Sequence, residues 1–171
     1  AMRHCFESAF RQPEQTTVDQ KDDQREANRF PHKPAVTGGA GFIGSHIAAY
    51  LLQHGAKKVR VLDNMVNGFN SNLDILRQYP GFEFIEGDIR NIETCANACE
   101  GIDYISHQAA LGSVPRSIKE PVYFNDVNVD GFVNMLKAAV DNKVKTFVYD
   151  SSSSVYGDEF KKKKKENKIG N

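Results

Sequence analysis

Residues 37–44 read Thr-Gly-Gly-Ala-Gly-Phe-Ile-Gly, four glycines within eight positions. Gly39, Gly41 and Gly44 satisfy the spacing G-x-G-x-x-G, and Gly38, Gly41 and Gly44 satisfy G-x-x-G-x-x-G. The physical requirement is the same for both. One glycine makes a tight turn, one lets backbone approach a pyrophosphate closely, and one lets a helix pack against a strand. A helix is expected directly afterwards, because Phe42, Ile43, Ile47, Ala48, Leu51 and Leu52 recur at three- and four-residue spacing and Gly55 can end it. The amino end of such a helix directs N–H groups and the positive end of its dipole at a phosphate. A strand, a glycine turn and a helix in that order restrict the chain to an α/β architecture.

The next segment gives the turn a ligand. Lys58-Val59-Arg60-Val61-Leu62-Asp63 is a short β-rich run ending in an acid, and Asp63 lies 19 residues beyond Gly44. That is close to the ~20 residues expected before a carboxylate that binds a ribose diol. The same charge repels a 2′-phosphate, so NAD is favoured over NADP. Arg60 precedes the strand tip and is a poor phosphate clamp. The plainer reading of Asp63 is a strand-end turn former, and the paired glycine motif favours the ribose role over it.

Composition narrows the class. With 171 residues the chain is about one domain; 40% hydrophobic content can fill a core, and 22 basic residues balance 22 acidic ones. Zero net charge gives no reason to expect a nucleic-acid partner or a membrane surface. No stretch is apolar enough to span a bilayer, and the beginning is too polar for a signal peptide. Cys5, Cys95 and Cys99 lack metal-ligand spacing, so no metal is expected, and reduced, half-buried thiols point to the cytoplasm. Residues 1–32 read as a polar flexible extension, 33–158 as the folded domain, and 159–171 as a disordered tail containing five consecutive lysines.

Within the domain, strands are expected at Val59–Asp63, Phe82–Asp88, Asp103–His107 and Lys145–Tyr149. Helices are expected over 72–78, near Ile92–Cys99, and over 122–141 with Phe124, Val127, Phe132, Met135, Leu136 and Ala139 on one face. Alternating strands and helices give a Rossmann-type, doubly wound parallel sheet with its ligand crevice at the carboxyl ends of the strands. One feature disagrees. The first strand is preceded by Pro31 and contains Pro34, and proline lacks the N–H a central strand uses, so that strand must be short or altered.

These residues resemble a known family. Thr37–Gly44, Leu62-Asp63-Asn64, Gly87-Asp88-Ile89-Arg90, His107-Gln108-Ala109-Ala110 and Ser151–Gly157 look like the ordered motifs of the extended short-chain dehydrogenases/reductases, within the NAD-dependent epimerase/dehydratase family. Residues 107–117 and 128–136 are most similar to UDP-N-acetylglucosamine (or uronic acid) 4-epimerases of polysaccharide biosynthesis. The resemblance implies an isomerase that transiently oxidises carbon four of a UDP-sugar with bound NAD. It implies cofactor contacts from Gly38, Gly41, Phe42, Ile43, Gly44, Asp63 and Asn64. Asp88 and Ile89 would hold the adenine, Ala109 and Ala110 leave room for the cofactor, and Asn128 either bridges backbone groups near the site as a buried amide or takes an exposed helix position. Packing alone also explains the two alanines, and His107 reads as a packed, hydrogen-bonded residue. A homodimer is implied for the full-length protein.

The serine run is the other stretch with chemical character. By the same resemblance Ser152 is the catalytic hydroxyl, which hydrogen-bonds the sugar oxygen being oxidised, and Ser113 and Ser154 contact substrate. Asp150 departs from the small residue usual at its position and, if buried, needs a partner. Tyr156 is followed four residues later by Phe160, so it does not form the family's Tyr-x-x-x-Lys pair. The chain is therefore expected to be an N-terminal fragment that stops before that pair and the C-terminal substrate-binding region, and to be inactive alone. A nucleotide-sugar 4,6-dehydratase and a non-catalytic NAD-binding module remain open alternatives. Against the dehydratase, Ser153 and Ser154 are neutral where it needs an acid.

Overall fold

The computed structural model describes residues 32–151. Five strands form one parallel sheet: β1 (Pro34–Thr37), β2 (Val59–Asp63), β3 (Phe82–Glu86), β4 (Tyr104–His107) and β5 (Thr146–Tyr149), in the order β3-β2-β1-β4-β5. Parallel neighbours need crossover connections. Helices α1 (Phe42–Gln53), α2 (Asn70–Leu76) and α3 (Ile92–Cys99) supply them. The last crossover runs through α4 (Val114–Lys119), α5 (Pro121–Asn125), a π-helical turn (Asp126–Asp130) and α6 (Gly131–Asp141).

The two faces of the sheet carry separate cores, as the two-residue strand period requires. Val36, Val59 and Val61 pack with Ala48, Leu52, Leu73 and Leu76 under α1 and α2. Ala35, Leu62 and Ile105 pack with Cys95, Cys99, Phe124 and Met135 under α3, α5 and α6. β1 is buried along its whole length. Fully burying one such aliphatic side chain contributes roughly 1.5–3 kcal/mol, so these two layers hold the strand ends in place. Arg60 binds the β3 residue Glu83 at 2.7 Å and donates to the carbonyls of Asn97, Ala98 and Glu100 at the end of α3. It is a structural tie, well away from any phosphate role.

The proline conflict resolves at the start of β1. Pro34 is the first residue of a four-residue strand, paired with Tyr104, where a missing N–H is tolerated. Just before it, Lys33 N–H donates to the Asp103 carboxylate at 3.0 Å, and Asp103 N–H donates to the Lys33 carbonyl at 3.0 Å. The strand is anchored by its neighbour instead of by length.

Four expectations need correction. α2 begins and ends two residues earlier than its apolar pattern suggested. The long helix is interrupted by the π turn, whose extra residue separates Val127 from Phe132 by five positions. Phe42 and Ile43, grouped with the apolar face of α1, are 65% and 57% exposed, and α1 buries Gly44, Ser45, Ala48 and Leu52 instead. Cys95 and Cys99 are fully buried free thiols, pushed up to about 12 and about 11 by burial, and hence inert at neutral pH.

Candidate functional site at the carboxyl edge of the sheet

The chain leaves β1 for β2 on one side and later returns to β4 on the other, so the strand order reverses between β1 and β4. Dinucleotides bind at such a switch point in open α/β sheets. Here the glycine turn occupies it. Gly38 has φ +67°, and a Cβ there would lie 2.8 Å from the Ala109 nitrogen. At Gly41 it would lie 3.2 Å from the Gly38 carbonyl oxygen, and at Gly44 it would collide with that same carbonyl. Gly41 caps α1 without any side-chain hydrogen bond, and no acid stands in the first turn. The amino end of α1 is thereby left to an anion, which fits a pyrophosphate.

Thr37 closes the β1–β4 junction. Its Oγ1 accepts from the N–H groups of Gln108 and Ala109, both at 3.2 Å, and lies 2.9 Å from His107 Nδ1. With both incoming bonds accepted, the hydroxyl proton is directed at Nδ1, so the ring is neutral with Nδ1 as acceptor. His107 is 7% exposed between Phe132 and Phe147, and burial holds its pKa down at about 4. It is a packed residue, as its place after an apolar strand suggested. Thr37 was absent from the expected site residues; its position next to Gly38 was the available signal.

On the β2–β3 side, Asp63 is buried at the strand tip. Its Oδ2 accepts from Ala40 N–H at 2.9 Å, and its Oδ1 accepts from Met65 N–H at 2.8 Å. The turn-forming reading of Asp63 is thus met, and each oxygen keeps one acceptor position. Asn64 follows and donates to Asp88 Oδ2 at 3.0 Å. Asp88 also accepts from the Arg90 N–H and from both arms of its guanidinium, at 2.8–3.0 Å. These Arg90 hydrogen bonds lead in holding its pKa down at about 2. All four acceptor positions of Asp88 are used internally, and the residue stands beside the groove while its neighbours Gly87 and Ile89 line it.

The groove has two halves that share Gln108–Leu111. The first, of about 120 Å³, is lined by Gly38, Gly41, Asp63, Asn64, Ile89, Ala109 and Ala110, among others. The second, of about 740 Å³, runs past Ile43, Ser113, Asn128 and Tyr149 to Asp150 and Ser151. Asn128 holds the shared wall: its Oδ1 accepts from Leu111 N–H at 2.8 Å, and its Nδ2 donates to the Leu111 carbonyl at 2.9 Å. The bridging amide is present, though exposed to the groove instead of buried. Ser113 caps α4, accepting from Arg116 N–H at 3.4 Å. Asp150 is exposed, so its charge is not a burial problem.

The remaining expected positions divide plainly. Gly44 is buried in the α1 packing, and Phe42 faces a different depression, between α1 and α2. Ser152, Ser154 and Tyr156 lie outside the described residues. Among the described residues, no group of three or more His, Cys, Asp or Glu side chains could hold a metal ion, and no helix is long and apolar enough to cross a membrane.

Comparison with known proteins agrees with this geometry. The model of the NAD dependent epimerase/dehydratase family matches residues 35–170. A UDP-glucose 4-epimerase from Klebsiella pneumoniae is 39% identical over 131 residues, covering 74% of this chain and 94% of that sequence. The structure of UDP-N-acetylglucosamine 4-epimerase from Methanobrevibacter ruminantium M1, in complex with UDP-N-acetylmuramic acid, superposes with a TM-score of 0.72 at 34% identity, covering 81% of this chain and 43% of that one. DesIV, a dTDP-glucose 4,6-dehydratase from Streptomyces venezuelae solved with NAD bound, gives 0.68 at 39% identity, covering 73% and 41%. The chain spans less than half the length of either solved protein. On the matched motifs, the glycine cradle and the sheet order together, the chain belongs to the NAD dependent epimerase/dehydratase family.

Proposed function

We propose that this chain is the NAD-binding part of a nucleotide-sugar 4-epimerase of the UDP-N-acetylglucosamine (or uronic acid) type. The observation that carries it is the glycine cradle facing Asp63 in one groove, which continues along Ala109–Ser113 toward the serine run. NAD, when bound, supplies the hydride acceptor for transient oxidation at sugar carbon four. The protein's own residues bind and orient. Gly38, Gly41, Phe42, Ile43 and Gly44 bring α1 and its free N–H groups to the pyrophosphate. Asp63 accepts from a ribose diol, with Asn64 beside it, and its charge excludes a 2′-phosphate. Asp88 and Ile89 flank the adenine, and Asp88 receives its amino group only by releasing one internal hydrogen bond. Ala109 and Ala110 leave space along a wall that Asn128 fixes. Ser113 and Ser154 contact the sugar nucleotide, and Ser152 orients the hydroxyl to be oxidised.

None of the six tyrosines in the 171 residues has a lysine four positions later. These residues alone therefore provide no Tyr-x-x-x-Lys base, and general-base loss typically costs ~10²–10⁴ in rate. Turnover of UDP-N-acetylglucosamine by the purified chain, supplied with NAD, is expected to be undetectable; robust epimerisation would overturn this reading. The DesIV likeness favours a second reading, a 4,6-dehydratase, against which stand the neutral Ser153 and Ser154. An epimer as product of the full-length protein supports the first reading, and a 4-keto-6-deoxy sugar supports the second. Inert buried thiols and balanced charge favour a cytoplasmic protein, and we take the full-length form to be a homodimer.

A further inference from the structure

We propose that Asp150 biases the dinucleotide site toward the oxidised nicotinamide, by holding a carboxylate that no described side chain pairs in the half of the groove opposite Asp63. The inference rests on the NAD-site reading above. It begins from a contrast in charge. Among the described residues lining the 740 Å³ half, Asp150 is the sole Asp, Glu, Lys or Arg. The other ionisable groups facing that space are the neutral His107 and the phenol of Tyr149. Asp150 follows β5 directly and is exposed, and no described side chain pairs with it. The wall around it is otherwise built from small, apolar and neutral polar residues, including Ala110, Ser113, Phe132 and Ser151.

A dinucleotide at the switch point extends in both directions from the glycine turn. With Asp63 taking one ribose in the β2–β3 half, the nicotinamide is directed to the β4–β5 half, where Asp150 stands. NAD⁺ and NADH are alike in ribose, pyrophosphate and adenine, and differ by one positive charge on the nicotinamide ring. A carboxylate facing that ring therefore stabilises the oxidised form selectively. At an open rim with water nearby, Coulomb attraction between unit charges is strongly damped, and a roughly three- to tenfold preference is the scale to expect.

The test uses the purified chain and three probes: NAD⁺, NADH, and ADP-ribose, which lacks the nicotinamide. Asp150→Asn is expected to weaken NAD⁺ relative to NADH about three- to tenfold while leaving ADP-ribose unchanged. Asp150→Glu is expected to keep most of the wild-type ratio, and added salt to shrink the wild-type preference. An unchanged NAD⁺/NADH ratio in Asp150→Asn, with ADP-ribose still bound, overturns the role of Asp150 alone. A loss shared equally by all three probes overturns it as well, since that marks a structural effect. A wild-type chain that binds neither NAD⁺ nor ADP-ribose overturns the site reading beneath it, and the inference falls with it.

Discussion

The two halves of the groove are built on opposite principles. The β2–β3 half is small and knitted by hydrogen bonds: Asp63 to Ala40 and Met65, and Asn64 and Arg90 to Asp88. The β4–β5 half is larger and open: beyond the shared segment that Thr37 ties at Gln108 and Ala109, Asn128 on Leu111 holds the described wall, and the exposed strand β5 bounds its outer end. A half whose polar groups already satisfy one another is preorganised to read a nucleoside. A half with few internal ties takes its final shape from what is laid against it. Within the 120 described residues, a tightly tied pocket and an open one thus share a single wall.

The comparison can be broken at the junction first. Gly38→Ala forces a side chain into a positive φ and against the Ala109 backbone, and is expected to cost about 4 kcal/mol in urea denaturation. A loss below about 1 kcal/mol would mean the turn is not held as tightly as described. Next is acid. The folded protein keeps His107 neutral down to about pH 4, whereas the unfolded ring titrates near 6.5. Its pKa is depressed, so the unfolded state binds the extra proton between these values. Stability is full above 6.5 and is lost as pH falls through 4, on the order of 3 kcal/mol in all. His107→Gln should flatten that part of the stability–pH curve; an unaltered slope would remove His107 as its source.

Two substitutions then set one half against the other. Asp63→Ala strips the partners from two N–H groups, one of them buried, and should cost about 2–3 kcal/mol. Asn128→Ala removes a more exposed bridge and should cost about 1 kcal/mol. The reverse order would contradict the contrast between a knitted half and an open one. Smallest of all, Lys137→Ala breaks only an exposed pair with Asp141 on α6 and should change stability by less than about 0.5 kcal/mol.

Much of this was legible in the residues. β2 and α3 lie where they are expected: the β-rich run of β2 is buried at four of its five residues, and α3 buries Cys95, Ala98 and Cys99. The glycine turn was legible because only glycine fits its backbone. α4 was missed since none of its residues is buried, which leaves no apolar period to read. The π turn does leave a trace, the five-residue step from Val127 to Phe132, but apolar residues on both sides of it continue a helical spacing that hides the break. The Asn64–Asp88 and Thr37–His107 contacts join residues 24 and 70 positions apart, and no local pattern encodes such pairings.

The most direct measurement is calorimetric titration of the purified chain with NAD and NADP, on wild type and Asp63→Asn. NAD should bind the wild type at least tenfold more tightly than NADP, and Asp63→Asn should narrow that gap by weakening NAD and relieving the repulsion of NADP. Equal affinity for the two dinucleotides in the wild type, or a gap that Asp63→Asn leaves intact, would contradict the assignment of Asp63 to the ribose and of the groove to NAD.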